Sequence, residues 1–207
     1  MNELVMTLTI AFQAHGWEEK DYETTHNHGR GGLIRRFRQY VMENIDLGNL
    51  AEVPRNAPHR VVISQGSSSV PARNLKMDIE IEILRDHVKN ANVEKYVFKD
   101  MSLKEQIEIA GQTAVYITPC GGGAVTGMFL PKGASIILFY QHNGGVQNGR
   151  GTGKPAMLDW DLFSAMSHLR VHWMPMSTRE VFTGQAGLVG LVKHELFLIE
   201  NLDVSTL

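Results

Sequence analysis

The chain has 207 residues, 43% of them hydrophobic, and a formal charge of −2. That size allows a sizeable core and fits one domain, or one domain with appendages. The near-neutral charge offers no basic field for nucleic acid, and a single Cys, Cys120, excludes an internal disulfide framework and any Cys-rich zinc site.

The opening stretch MNELVMTLTIAFQAHGW is mildly apolar, is broken by Thr7, Thr9 and Gln13, and carries Glu3 where a signal peptide would carry Lys or Arg. It makes a poor signal peptide and is too short to cross a bilayer, so it reads as a buried strand beginning partway into a larger fold. No other segment approaches about 18 uninterrupted apolar residues, and no membrane contact is expected. Residues 15–32, polar and rich in His and Gly, read as a loop. Leu33, Phe37, Tyr40, Val41 and Ile45 then recur at helical spacing, with Arg35, Arg36 and Arg38 mostly off that stripe. Pro54 and Pro58 mark a linker, residues 60–64 a short β-branched strand, and residues 65–72 a Ser/Gly/Pro loop.

Residues 74–89 fit two periods. Ile79, Ile81 and Ile83 alternate with Glu80 and Glu82 as in a strand, but Leu75, Ile79 and Ile83 also share a helix face. The segment is long for a strand, and a helix is expected. A strand over 93–98 follows, then Ser102-Leu-Lys-Glu105, a capping box that opens a helix running to about Gly111. Next come a strand over 115–118, three glycines (Gly121, Gly122 and Gly123), a short helix and a strand over 135–140. Past a Gly/Asn/Gln loop at 141–155, Leu158, Leu162, Ala165, Met166 and Leu169 outline a helix. Residues 171–174 suit a strand, and 191–199 form an apolar element of undecided type. Strands alternating with helices predict a parallel sheet covered on both faces, with ligands at the carboxyl ends of the strands.

Both Gly/Ser loops fall on that edge. In SQGSSSVPARN (64–74), hydroxyls such as that of Ser67 and the fork of donors on Arg73 suit a diphosphate; the simpler reading is an ordinary loop. The glycine knot allows positive φ and a close approach of backbone N–H groups to an anion; the simpler reading is a tight turn. Cys120 just before it could be activated by a helix start, or could simply be a small buried side chain. Other motifs fail. Gly151–Lys154 has the look of a P-loop end, but Asn148 and Pro155 stand where a glycine and a Ser/Thr belong. The knot lacks full GxGxxG spacing, because Gly127 comes one residue late, which leaves dinucleotide-dependent oxidoreduction a weak reading. His15, His26 and His28 read as a solvated loop before a metal site, and Asp159 and Asp161 as capping groups at a helix start.

Residues 118–134 resemble, almost position for position, the signature block of the family 61 glycosyltransferases. Pro119, Gly121, Gly123, Phe129, Leu130, Pro131 and Gly133 stand in matching places. SLKEQIEIAGQTAVYIT resembles the family's helix-and-strand lead-in, and the pair Arg73 and Asn74 ends an upstream strand and loop like the family's. The basic helix RRFRQYV resembles the start of the same half, so the resemblance spans roughly residues 30 to 175. The sequence departs from the pattern at Cys120, where the family has histidine, at Thr126, where it has asparagine, and at Gln65, where a basic residue is common.

The resemblance implies an inverting GT-B enzyme, of which this chain is the donor-binding half: a Rossmann-like three-layer sandwich with a mainly parallel sheet. In that reading residues 1–30 are the remnant of a preceding region and 31–207 the donor-binding domain, in a chain that is a fragment or starts late. It implies a nucleotide-sugar donor, UDP-linked, and a glycan or protein acceptor in the secretory pathway, with no metal or other cofactor. The implied donor and phosphate site comprises Ser67, Arg73, Asn74, Cys120, Gly121, Gly122, Gly123 and Thr126. The catalytic base is unassigned and expected from the opposing half. The alternative is a non-catalytic module, descended from such an enzyme, that binds a sugar nucleotide or glycan.

Overall fold

A computed structural model describes residues 31–66, 76–140, 146–147, 150–151, 157–175 and 187–201. Helix α1 (Gly31–Asn44) is followed by β1 (His59–Ser64), α2 (Asp78–His87), β2 (Ala91–Tyr96), α3 (Leu103–Gly111) and β3 (Val115–Pro119). A four-residue helix, α4 (Gly122–Val125), runs straight into a 3-10 turn over Thr126–Phe129 and leads to β4 (Ser135–Tyr140). The two-residue strands β5 (Val146–Gln147) and β6 (Arg150–Gly151) pair antiparallel. Helix α5 (Met157–Ser164), strand β7 (Arg170–Pro175) and helix α6 (Leu188–Asn201) complete the described chain.

The large sheet has five strands in the order β2-β1-β3-β4-β7, every neighbouring pair parallel. Its interior strands carry unbroken apolar runs because both of their faces are covered. Val61, Val62 and Ile63, Val115, Tyr116 and Ile117, and Ile136, Ile137 and Leu138 have no exposed surface. From β1 the chain steps one way to β2 and then back across β1 to β3. With right-handed crossovers, α2 and α3 therefore cover opposite faces. Helix α2 packs against α6 on one face, while α1 and α3 pack against the 3-10 turn on the other. The result is a Rossmann-like three-layer α/β sandwich. None of the described helices is long and apolar enough to cross a membrane.

The helix over 74–89 forms as Asp78–His87, with Ile81 and Leu84 buried and Ile79 turned out to solvent. Glu80 is buried among them, so helical packing overrode the local alternation. The capping box forms in full: Ser102 Oγ accepts from Glu105 N at 3.3 Å, and Glu105 Oε2 accepts from Ser102 N at 2.7 Å. Such a cap contributes about 0.5–2 kcal/mol. The undecided element near the C-terminus is helix α6.

Two expectations need correcting. The stripe of α1 facing the core is Ile34, Arg38 and Met42, one position round from the predicted one, and Tyr40 is exposed. Arg38 lies on that stripe because its Nε donates to Phe129 O at 3.0 Å and its Nη2 to Leu50 O at 2.5 Å. Burial, reinforced by Arg35, pulls its guanidinium down to about 10. The second correction concerns the knot: the helix begins inside it, at Gly122, before the apolar residues that follow.

Candidate functional site

The strand order reverses between β1 and β3, because the chain leaves β1 for a neighbour on one side and returns to the other. Loops from these two carboxyl ends leave toward opposite faces and open a crevice between them. A cleft of about 390 Å³ lies there. Ser64, Gln65 and Gly66 line it from the end of β1, and Phe98 and Lys99 from the turn after β2. Gln106 of α3 closes one wall, and Thr118, Pro119 and Cys120 bring in the end of β3. Gly121, Gly122 and Gly123 complete the lining.

These loops are tied down. Gln65 N donates to Tyr96 O at 2.8 Å and Cys120 N to Phe139 O at 2.8 Å, each extending the strand ladder one residue beyond its strand. Tyr116 Oη donates to Gly123 O at 2.8 Å, and burial pushes that phenol far above its ordinary range, so it stays a neutral donor. Gly121 sits at φ 128° and ψ −158°, a region that essentially only glycine occupies. Its N–H donates to Asp159 Oδ1 at 3.2 Å. Asp159, buried in the first turn of α5, thus anchors the knot as well as standing at a helix start. Of the three glycine amides, those of Gly122 and Gly123 open α4 and have no acceptor within the helix.

The structure brings Cys120, Gly121, Gly122 and Gly123 together in the cleft. Thr126 stands apart from the lining, buried beneath the short helix, with its hydroxyl donating to Gln106 Oε1 at 3.2 Å. Ser67, Arg73 and Asn74 lie outside the described residues, as do His15, His26 and His28. Sequence reasoning missed Phe98, Lys99 and Gln106. The signal was available: Phe98 and Lys99 follow a strand at its carboxyl end, the same edge that singled out the two Gly/Ser loops.

A cleft of this kind has a definite chemical character. Lys99 is its one charged lining residue, and no carboxylate or imidazole lines it, among the described residues. Hydroxyl, amide and backbone donors with one ammonium suit an anionic or polyhydroxylated ligand. No group of His, Cys, Asp or Glu side chains placed to hold a metal ion occurs among the described residues. Residues 19–137 match a family model described as Glycosyltransferase 61. No curated protein matches the chain.

Proposed function

The chain belongs to the glycosyltransferase 61 family, and on that premise we propose that it transfers a sugar, with inversion, from a UDP-linked donor to a hydroxyl of a glycan or protein. The observation that carries this reading is the cleft between the carboxyl ends of β1 and β3, lined by the glycine knot. In this proposal the donor's diphosphate rests on the Gly122 and Gly123 amides, with Arg73 nearby. The acceptor hydroxyl attacks the anomeric carbon from the face opposite the diphosphate, the glycosidic bond to phosphate breaks, and UDP departs with the electron pair. Amides and guanidinium stabilise the charge that develops on it. The acceptor's proton goes to a general base. The described lining supplies none, and the proposal assigns it to an opposing half. No resident cofactor is called for, and the compartment proposed is the lumen of the secretory pathway.

A thermal-shift screen of UDP, GDP and their common sugar derivatives tests the reading. A ligand selective for the folded state, at a hundred times its Kd, stabilises by about 2.7 kcal/mol. A rise in Tm selective for UDP compounds is expected, and no rise with any nucleotide contradicts the proposal. Arg73→Ala is expected to weaken UDP binding; unchanged affinity removes Arg73 from this role.

One observation favours a second reading, a non-catalytic sugar-nucleotide- or glycan-binding module. Cys120 and Gln65 both line the cleft, where the family pattern has a histidine and a basic residue. Release of free UDP from a UDP-sugar in the presence of acceptor supports the enzyme. Saturable binding without release supports the module.

A further inference from the structure

We propose that Lys99 is the cleft's ligand-contacting cation, binding the donor diphosphate from the turn after β2, and that Gln106 is the positioning residue that holds this turn in place. The inference rests on the donor reading above and adds a contact from the turn after β2.

Charge comes first. Lys99 is exposed, lines the cleft, and makes no ion pair with a carboxylate among the described residues. With no acidic side chain in the described lining, nothing there offsets it. A cation with no carboxylate partner, on a residue that lines a concave site, draws anions toward that site.

The backbone of the turn that carries it is anchored at several points. Phe98 is buried, its ring stacked 5.9 Å from Tyr96 and 6.1 Å from Tyr116. The 3-10 turn Phe98–Asp100 closes on itself through Met101 N, which donates to Phe98 O at 3.0 Å. Gln106 Nε2 donates to both Phe98 O and Met101 O, each at 3.0 Å. Its Oε1 accepts from Thr126 Oγ1 at 3.2 Å. One amide side chain therefore fastens the Lys99 turn to the segment that follows the glycines, fixing the two walls relative to each other. Pre-organisation of this kind lowers the cost of ordering a cation around its ligand.

Titration of the full chain with UDP by calorimetry, and with uridine by NMR, tests the assignment. Lys99→Gln is expected to raise the Kd for UDP about tenfold or more, the worth of one charged hydrogen bond, and to leave uridine within about twofold. Lys99→Arg recovers most of the lost affinity. Gln106→Asn, too short to span both walls, raises the Kd for UDP by a smaller factor and leaves uridine unchanged, a split that mere loosening of the fold would not produce. If Lys99→Gln binds UDP as tightly as the parent, the Lys99 contact falls while the donor reading stands. Equal losses for UDP and uridine also overturn it, by moving Lys99 to the nucleoside. A parent chain that binds no nucleoside diphosphate overturns both.

Discussion

The two ends of the parallel sheet spend their polar groups in opposite ways. At the amino ends of the strands, acids and bases are paired with one another, the buried Glu195 at their centre. Ser135 opens β4 and donates to Glu195, and Arg170 opens β7 and donates to the same carboxylate at 2.5 Å. His172 Nε2 lies 3.1 Å from the other Glu195 oxygen. Burial alone would raise the Glu195 carboxyl, but His172, Ser135 and Arg170 hold it down at about 2. Close by, His59 Nε2 and Asn90 Nδ2 both approach Glu200 Oε1 at 3.0 Å. At the carboxyl ends Lys99 is the one charge in the described lining, no carboxylate is among the described lining residues, and the Gly122 and Gly123 amides have no acceptor within their helix. Charge density alone would therefore point to the wrong end. Paired charges hold the fold together, and unspent donors around a hollow are what a ligand can use.

Breaking the paired end should cost the most stability and leave ligand binding alone. Glu195→Ala leaves Arg170, largely buried, without its counter-charge, and a loss of about 3–5 kcal/mol is expected by chemical denaturation. Wherever that variant remains folded, its UDP affinity should match the parent's. A change in affinity would erase the division between the two ends.

Acid should attack the same structural side of the molecule. His168 is buried with neither ring nitrogen hydrogen-bonded, and burial, then Arg38 and Arg35, lower its imidazole to about 4. The unfolded chain takes up this proton below about pH 6.5 and the folded one only near pH 4, so the unfolded state binds more protons between these values. Stability is whole above pH 6.5 and falls by about 3 kcal/mol as pH drops to 4. Glu195 adds a further loss from about pH 4.5 down toward 2, as its depressed carboxyl is protonated. Denaturation midpoints between pH 7 and 4 should show the first loss, and His168→Gln should flatten it.

At the open end, two neighbouring glycines separate conformation from contact. Gly121→Ala forces a side chain into a backbone region reserved for glycine, and a loss of about 1–3 kcal/mol is expected. Gly122 has ordinary φ, and a methyl added there meets nothing within 4 Å. Gly122→Ala should thus hold stability level or raise it by about 0.5–1 kcal/mol while weakening UDP binding. A Gly122→Ala protein that binds UDP as well as the parent would put the diphosphate somewhere other than on these amides.

The legibility of these two ends in sequence also differs, for a physical reason. Strands buried on both faces must be apolar throughout, so the strand Ser135–Tyr140 and the central part of β3 could be read directly. The capping box announced α3 because both of its partners lie within four residues of each other. Arg38 and Glu195 could not be read, since their partners are 91 residues away at Phe129, and 60 and 25 away at Ser135 and Arg170. Locally each is a charge out of place in a helix. The glycine knot was legible as a turn at a strand end. Lys99 stood at the end of a strand on the same edge and could have been read there; Gln106 could not, because its bond with Thr126 spans 20 residues.

The most direct test of the central claim uses the chain's single thiol. Cys120 is partly exposed and lines the cleft beside the glycines, so its alkylation rate reports whether the cleft is filled. Saturating UDP is expected to slow iodoacetamide modification of Cys120 about tenfold or more, as an occupied site excludes the reagent. Unchanged alkylation, in protein that calorimetry shows to be saturated with UDP, would place the nucleotide elsewhere and contradict the account.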